Sequence, residues 1–175
     1  HLRGLAVEER WGSATDLIWR LKALGRVRLA RGELDQAEAH LRRALALAES
    51  SRAANEIGAA LTNLGIVLET RGDWPAAQQV YEQALALAER LENPSLVAAA
   101  HANLGNVFGR QERWPQARQH LEQALAHAVA SGDQEGEART LLNLGNVDYN
   151  DASSLEAERY YGRGQALAVE LGNDA

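Results

Sequence analysis

A repeat of 40 residues is the feature that most constrains this chain of 175 residues. The tripeptide Asn-Leu-Gly stands at 63–65, 103–105 and 143–145, and Ala-Leu-Gly stands one period earlier at 23–25. Further columns keep the same phase: Val27, Val67, Val107 and Val147; Leu41, Tyr81, Leu121 and Tyr161. The agreement of several columns across four copies predicts a tandem array of one structural unit.

Each unit carries two stretches of apolar residues at helical spacing, which predicts a pair of amphipathic helices. In the second unit, one stretch runs through Leu61, Leu64 and Leu68, and the other runs through Tyr81 and Leu85. The predicted first helices of the pairs are 15–31, 55–71, 95–111 and 135–150. The predicted second helices are 34–50, 74–91, 114–131 and 153–171.

The predicted breaks between helices have chemical causes. In the segment 72–75, Gly72 supplies a flexible end, Asp73 can cap the next helix, and Pro75 fits its first turn. The segment 112–115 repeats the Trp-Pro step without the glycine. Ser153 and Glu156 have the spacing of a capping box for the last helix.

One glycine recurs inside the first helix of every unit, at Gly25, Gly65, Gly105 and Gly145. Glycine in a helix interior costs about 1 kcal/mol relative to alanine, so a packing gain should offset it. We expect the second helix to approach closely at this point with small side chains, while Leu41 and Tyr81 fill the adjacent space. The expected small residues are Ala37, Ala77, Ala117 and Ala157.

Composition narrows the class of protein. The absence of cysteine excludes a disulfide framework and a thiolate metal site, and no apolar stretch reaches the roughly 18 residues of a membrane helix. The net charge of -6 disfavours nucleic acid and anionic membranes as partners. These observations favour a cytoplasmic protein. Lys22 is the one lysine among 18 basic residues, a bias that is typical of GC-rich bacterial genomes.

The columns resemble the tetratricopeptide repeat family, whose pattern has Leu-Gly in the first helix, Ala in the second, and Leu or an aromatic residue four positions later. The resemblance covers 15–171 and implies an all-α fold, a right-handed α-solenoid of antiparallel helix pairs. The period of 40 is similar to the long-helix type found in bacterial regulators and in spindle-orientation scaffolds.

The resemblance treats residues 1–175 as a single array. Residues 1–12 align with the tail of a preceding second helix, and 171–174 resemble a turn into a further unit, so we expect a piece of a longer array. The fourth repeat is expected to be degenerate, because Asp148 stands where two other units have Leu68 and Phe108. The expected repeats are 15–50, 55–91, 95–131 and 135–171.

The resemblance also implies a concave groove on the first helices that holds an extended peptide of a partner protein. Its contact positions share one helix face, because they lie three, four or seven residues apart. In this chain they are Trp19, Lys22, Arg26, Thr62, Asn63, Thr70, Asn103, Asn106, Arg110, Arg139, Asn143, Asn146 and Asn150. None is acidic, so we expect the groove to attract acidic or carboxylate-bearing segments. The alternative for the asparagines is that they only cap or solvate a surface.

The residue patterns do not favour an enzyme. His40, His101, His120 and His127 form no metal-binding pair at i, i+4, and we interpret them as surface histidines with His101 half-buried. No nucleophile motif or phosphate-binding loop occurs. We therefore expect no catalytic site, no metal and no cofactor.

The function that these patterns favour is a protein-protein interaction scaffold that binds a peptide segment in the groove. The alternative is a ligand- or peptide-sensing regulatory domain of a larger bacterial signalling or transcriptional regulator. Self-association through apolar array ends, where Leu155, Tyr160 and Tyr161 lie, is a further expectation.

Overall fold

The computed structural model describes residues 13–151 and 154–172, and this part of the chain holds eight α-helices and no strand. The helices are α1 Ala14–Ala30, α2 Leu34–Ser50, α3 Ala54–Arg71, α4 Trp74–Arg90, α5 Pro94–Arg110, α6 Trp114–Ser131, α7 Gln134–Asn150 and α8 Ser154–Glu170. Each begins and ends within one residue of its predicted bounds, so the all-α fold of paired helices is confirmed. The predicted tail in residues 1–12, the cap at Ser153 and the turn at 173–174 lie outside the described residues.

The helices group into two compact units. The first ends at Leu87 and holds α1, α2, α3 and most of α4, and the second begins at Ala88 and holds α5 to α8. In the first unit α2 packs against α1 and α3; in the second, α6 packs against α5 and α7, and α8 packs against α7. The first helices of neighbouring pairs also touch, α1 with α3 and α5 with α7. Each unit thus presents a surface made by two first helices. Among the described residues, no helix has the length and apolar character needed to cross a membrane.

The helix ends follow the chemistry expected of their turn residues. Gly72 has a positive φ of 84°, and Asp73 Oδ1 accepts a hydrogen bond from the backbone N–H of Ala76 at 3.2 Å. Asn93 and Asp133 cap α5 and α7 in the same way. These caps satisfy backbone N–H groups that a helix start leaves unpaired, and so they fix where each helix begins.

Each recurring glycine faces a large side chain of the second helix in its own pair. A Cβ atom on Gly25 would lie 2.6 Å from Cγ of Leu41, and one on Gly105 would lie 2.6 Å from Cγ of Leu121. The tyrosines repeat the contact, with Tyr81 against Gly65 and Tyr161 against Gly145. No side chain fits at such distances, so these contacts require glycine.

The second helix approaches these glycines closely, as expected, and its large side chain makes the nearest contact. Ala37, Ala77 and Ala117 are fully buried, and at Gly105 the backbone carbonyl oxygen of Ala117 lies 3.1 Å from the Cβ position. Alanine stands four residues earlier on the second helix, where it lets the two backbones approach. The physical reason for the glycine is therefore to admit a large side chain that fills the pair interior.

We expect Gly105→Ala to lower the free energy of unfolding by about 2 kcal/mol, because its new methyl group overpacks the contact with Leu121. Gly162→Ala is the matched control, since within the described residues no neighbouring atom lies within 4 Å of its Cβ position. That variant should gain about 0.5–1 kcal/mol from helix propensity. Urea denaturation followed by circular dichroism measures both changes, and equal effects of the two substitutions would contradict the packing argument.

Candidate functional site

All of the predicted groove residues lie on first helices of the pairs. The first unit holds Trp19, Lys22 and Arg26 on α1 with Thr62, Asn63 and Thr70 on α3. The second unit holds Asn103, Asn106 and Arg110 on α5 with Arg139, Asn143, Asn146 and Asn150 on α7. The two first helices of each unit touch, so each set lies on neighbouring helices of its own unit.

Three asparagines occupy the same position of successive first helices, two residues before the recurring glycine. Asn63, Asn103 and Asn143 are all half-buried. Within residues 13–151 and 154–172, their side-chain amides make no hydrogen bond to the protein. Each amide therefore keeps two donor hydrogens and an acceptor oxygen for another molecule.

The two asparagines nearer the end of α7 are partly used inside the protein. Asn146 Oδ1 accepts a hydrogen bond of 2.7 Å from the hydroxyl of Tyr161, and Asn150 Nδ2 donates to the carbonyl oxygen of Asn146, also at 2.7 Å. Asn106 is half-buried on α5. The end of α7 is thus less free to bind a peptide than Asn143.

The threonines of α3 also bond within their own helix. The hydroxyl of Thr62 donates to the carbonyl oxygen of Gly58 at 3.0 Å, and that of Thr70 donates to Ile66 at 2.7 Å. Each oxygen keeps acceptor capacity, but its donor is occupied. Trp19 by contrast is 66% exposed on α1, which leaves most of its ring available for contact.

Among the predicted groove residues, positive charge that is free to act on a partner comes from three arginines more than from the lysine. Lys22 forms an ion pair with Glu56 of α3 and its side chain is only 14% exposed, so its charge is balanced inside the first unit. Arg26, Arg110 and Arg139 are exposed, and no described residue forms an ion pair with them. The sequence pattern missed Glu56 because this acid lies outside the predicted contact positions.

Asp148 is a fully buried acid in the fourth pair. Its Oδ2 accepts a hydrogen bond of 3.3 Å from Arg118 of α6, and its other oxygen forms an ion pair with the same guanidinium. Burial raises the pKa of Asp148, while Arg118 acts in the opposite direction. The position that the sequence marks as a degenerate core site therefore holds a paired charge. The sequence contains a signal for this ion pair, because Arg118 is the one basic residue at a repeat position that holds Glu38, Gln78 and Glu158 in the other three repeats.

Three histidines of the second unit lie together between α5 and α6. His101 Nδ1 and His120 Nδ1 are 3.0 Å apart, and the His127 ring stacks on His101 with ring centroids 6.1 Å apart. His120 also stacks on Phe108 at 5.1 Å. His101 is half-buried, as expected. Among the described residues, no group of three or more His, Asp or Glu side chains has the geometry to hold a metal ion.

The histidine cluster should make stability depend on pH. Burial, with the charges of His120 and His127, lowers the pKa of His101 from 6.5 to about 4. The unfolded chain then binds a proton that the folded chain does not, so stability is full above pH 6.5 and is lost as pH falls toward 4. We expect about 2 kcal/mol less free energy of unfolding at pH 4.5 than at pH 7 from this residue.

Urea denaturation at the two pH values measures this dependence. His101→Gln should remove the part of the pH dependence that comes from His101, and His40→Gln is the control outside the cluster. An equal pH dependence in the wild type and His101→Gln would contradict the assignment.

Solved structures similar to this chain share its fold. BtubC (BKLC) from P. vanneervenii superimposes with a TM-score of 0.80 at 20% identity, over 93% of this chain and 67% of that one. A Rap protein in complex with competence and sporulation factor superimposes with a TM-score of 0.81 at 18% identity, over 88% of this chain and 43% of that one. A putative kinesin light chain of Podospora anserina with nearly identical repeats superimposes with a TM-score of 0.74 at 15% identity, over 97% of this chain and 84% of that one. These identities show the fold alone.

The family model gives the assignment that structural likeness at low identity cannot. No curated protein sequence matches the chain. The model described as tetratricopeptide repeat matches residues 15–90 and 95–168, which is most of the chain and includes all four glycine contacts. The chain therefore belongs to the tetratricopeptide repeat family.

Proposed function

We propose that this chain is a protein-interaction scaffold that binds an extended peptide segment of a partner protein against its first helices. The observation that carries the proposal is the unused hydrogen-bonding capacity of Asn63, Asn103 and Asn143. A peptide backbone offers N–H and C=O groups in alternation, and one asparagine amide can accept from the first and donate to the second. Asparagine is also a poor helix former, so helix stability does not explain its recurrence at one position.

The partner segment that fits best is acidic or carries a free carboxylate. Arg26, Arg110 and Arg139 are exposed and have no ion-pair partner among the described residues. A guanidinium group binds a carboxylate through two parallel hydrogen bonds, which favours this chemistry over a neutral segment. Lys22 contributes less, because Glu56 balances its charge.

The binding role agrees with what is known of the fold. A Rap protein that this chain matches over 43% of its length has been solved in complex with competence and sporulation factor, which supports a binding role. We infer no catalytic role, since the polar groups described above are suited to binding. A cytoplasmic location stays a prediction. Self-association also stays a prediction, and it requires exposed apolar residues such as Leu155, which is 74% exposed on α8.

The second candidate is a ligand- or peptide-sensing domain of a larger bacterial regulator. The likeness to the Rap protein favours it, because that protein, of which this chain spans 43%, has been solved with a bound factor. The full-length reading frame distinguishes the two functions. An attached nucleotide-binding or DNA-binding domain would support the sensor, and further repeats alone would support the scaffold.

We expect Asn103→Ala/Asn143→Ala to weaken peptide binding about tenfold or more, because it removes amide groups of both first helices in the second unit. Peptides are selected from a random display library on the immobilised wild type, and their affinities are measured by fluorescence anisotropy. The matched control is Gln119→Ala/Gln123→Ala, which removes two exposed amides from the second helix α6. Peptides that bind all three proteins equally would remove the asparagines from the proposal.

A further inference from the structure

A cavity of about 300 Å³ lies between the second helices of the second unit, apart from the predicted groove. Its walls are Arg118 of α6 and Glu156, Arg159, Tyr160 and Arg163 of α8. Three guanidinium groups thus meet one carboxylate at its surface. The volume of the cavity is at the lower end of the range for small-ligand sites.

One of these guanidinium groups is held from behind. Arg118 bonds to the fully buried carboxylate of Asp148, and its side chain is partly exposed to the cavity. A guanidinium has five N–H donors in a rigid plane. The donors that Asp148 leaves unused can therefore reach a molecule in the cavity while the buried acid fixes the plane.

The other two guanidinium groups lie on one face of α8 and are only partly compensated. Arg159 and Arg163 are four residues apart on α8, a spacing at which like charges repel. Arg163 forms a long ion pair with Glu137 of α7 at 3.9 Å, and the Arg163 side chain is 62% exposed. Arg159 has no ion-pair partner among the described residues. An anion in the cavity would reduce the repulsion between Arg159 and Arg163. Glu156 is the only acid among the lining residues, and its charge would repel such an anion.

We propose that this cavity binds an oxyanion, the phosphate or carboxylate group of a small molecule, through Arg118, Arg159 and Arg163. The lining favours it, because three of its five residues are arginines and one is an acid, and Arg159 has no ion-pair partner among the described residues. Arginine forms paired hydrogen bonds with either oxyanion. The site is independent of the peptide-binding proposal, which rests on the first helices.

The test is an NMR titration of the whole chain with inorganic phosphate, and separately with acetate. We expect saturable shifts of the backbone amides at 156–163 with at least one of the two. Response to phosphate alone assigns a phosphate site, and response to acetate alone assigns a carboxylate site. The absence of saturable shifts in this segment with both anions overturns the proposal.

Three variants locate the site. Arg159→Gln should weaken binding about tenfold through loss of a charge-assisted contact. Glu156→Gln should strengthen it about threefold by removing the opposing charge, a gain that misfolding cannot produce. Arg43→Gln removes an exposed arginine of the second helix α2, which neither proposal uses, and should leave the affinity unchanged. If Arg43→Gln weakens binding as much as Arg159→Gln does, the anion binds elsewhere and the proposal is wrong.

Discussion

The contact between a helical glycine and a large side chain of the partner helix is the interaction on which the rest of the structure depends. Gly25 meets Leu41, and Gly65 meets Tyr81. Glycine costs about 1 kcal/mol in each first helix, whereas complete burial of a leucine side chain contributes about 1.5–3 kcal/mol. Burial therefore outweighs the cost of the glycine, and each pair is held at one distance and one rotation.

That rotation also orients the candidate site. Two steps along an α-helix turn the side-chain direction by about 200°. Because Gly105 faces the second helix, Asn103 is directed away from it. The same geometry applies to Asn63 and Asn143. Among the described residues, the asparagines thus have no protein partner as a consequence of the packing that stabilises each pair. The arginine-lined cavity lies apart from them, between α6 and α8.

Local sequence patterns predicted the helices, because apolar spacing, Gly72 and Asp73 act within a few residues of each other. Contacts between helices were less accessible to sequence reasoning. Lys22 and Glu56 lie 34 residues apart, and Arg118 and Asp148 lie 30 apart, so no local period shows either pair. The histidine cluster was missed for the same reason, since a search for ligands one turn apart does not find side chains that meet across two helices.

A double-mutant cycle on Gly105 and Leu121 tests the central contact most directly. The free energy of unfolding is measured for Gly105→Ala, Leu121→Ala and the double variant. The packing account predicts that the double variant loses at least about 1 kcal/mol less free energy of unfolding than the two single variants lose together. The shorter side chain at position 121 leaves room for the new methyl group. Additive effects of the two substitutions would contradict it.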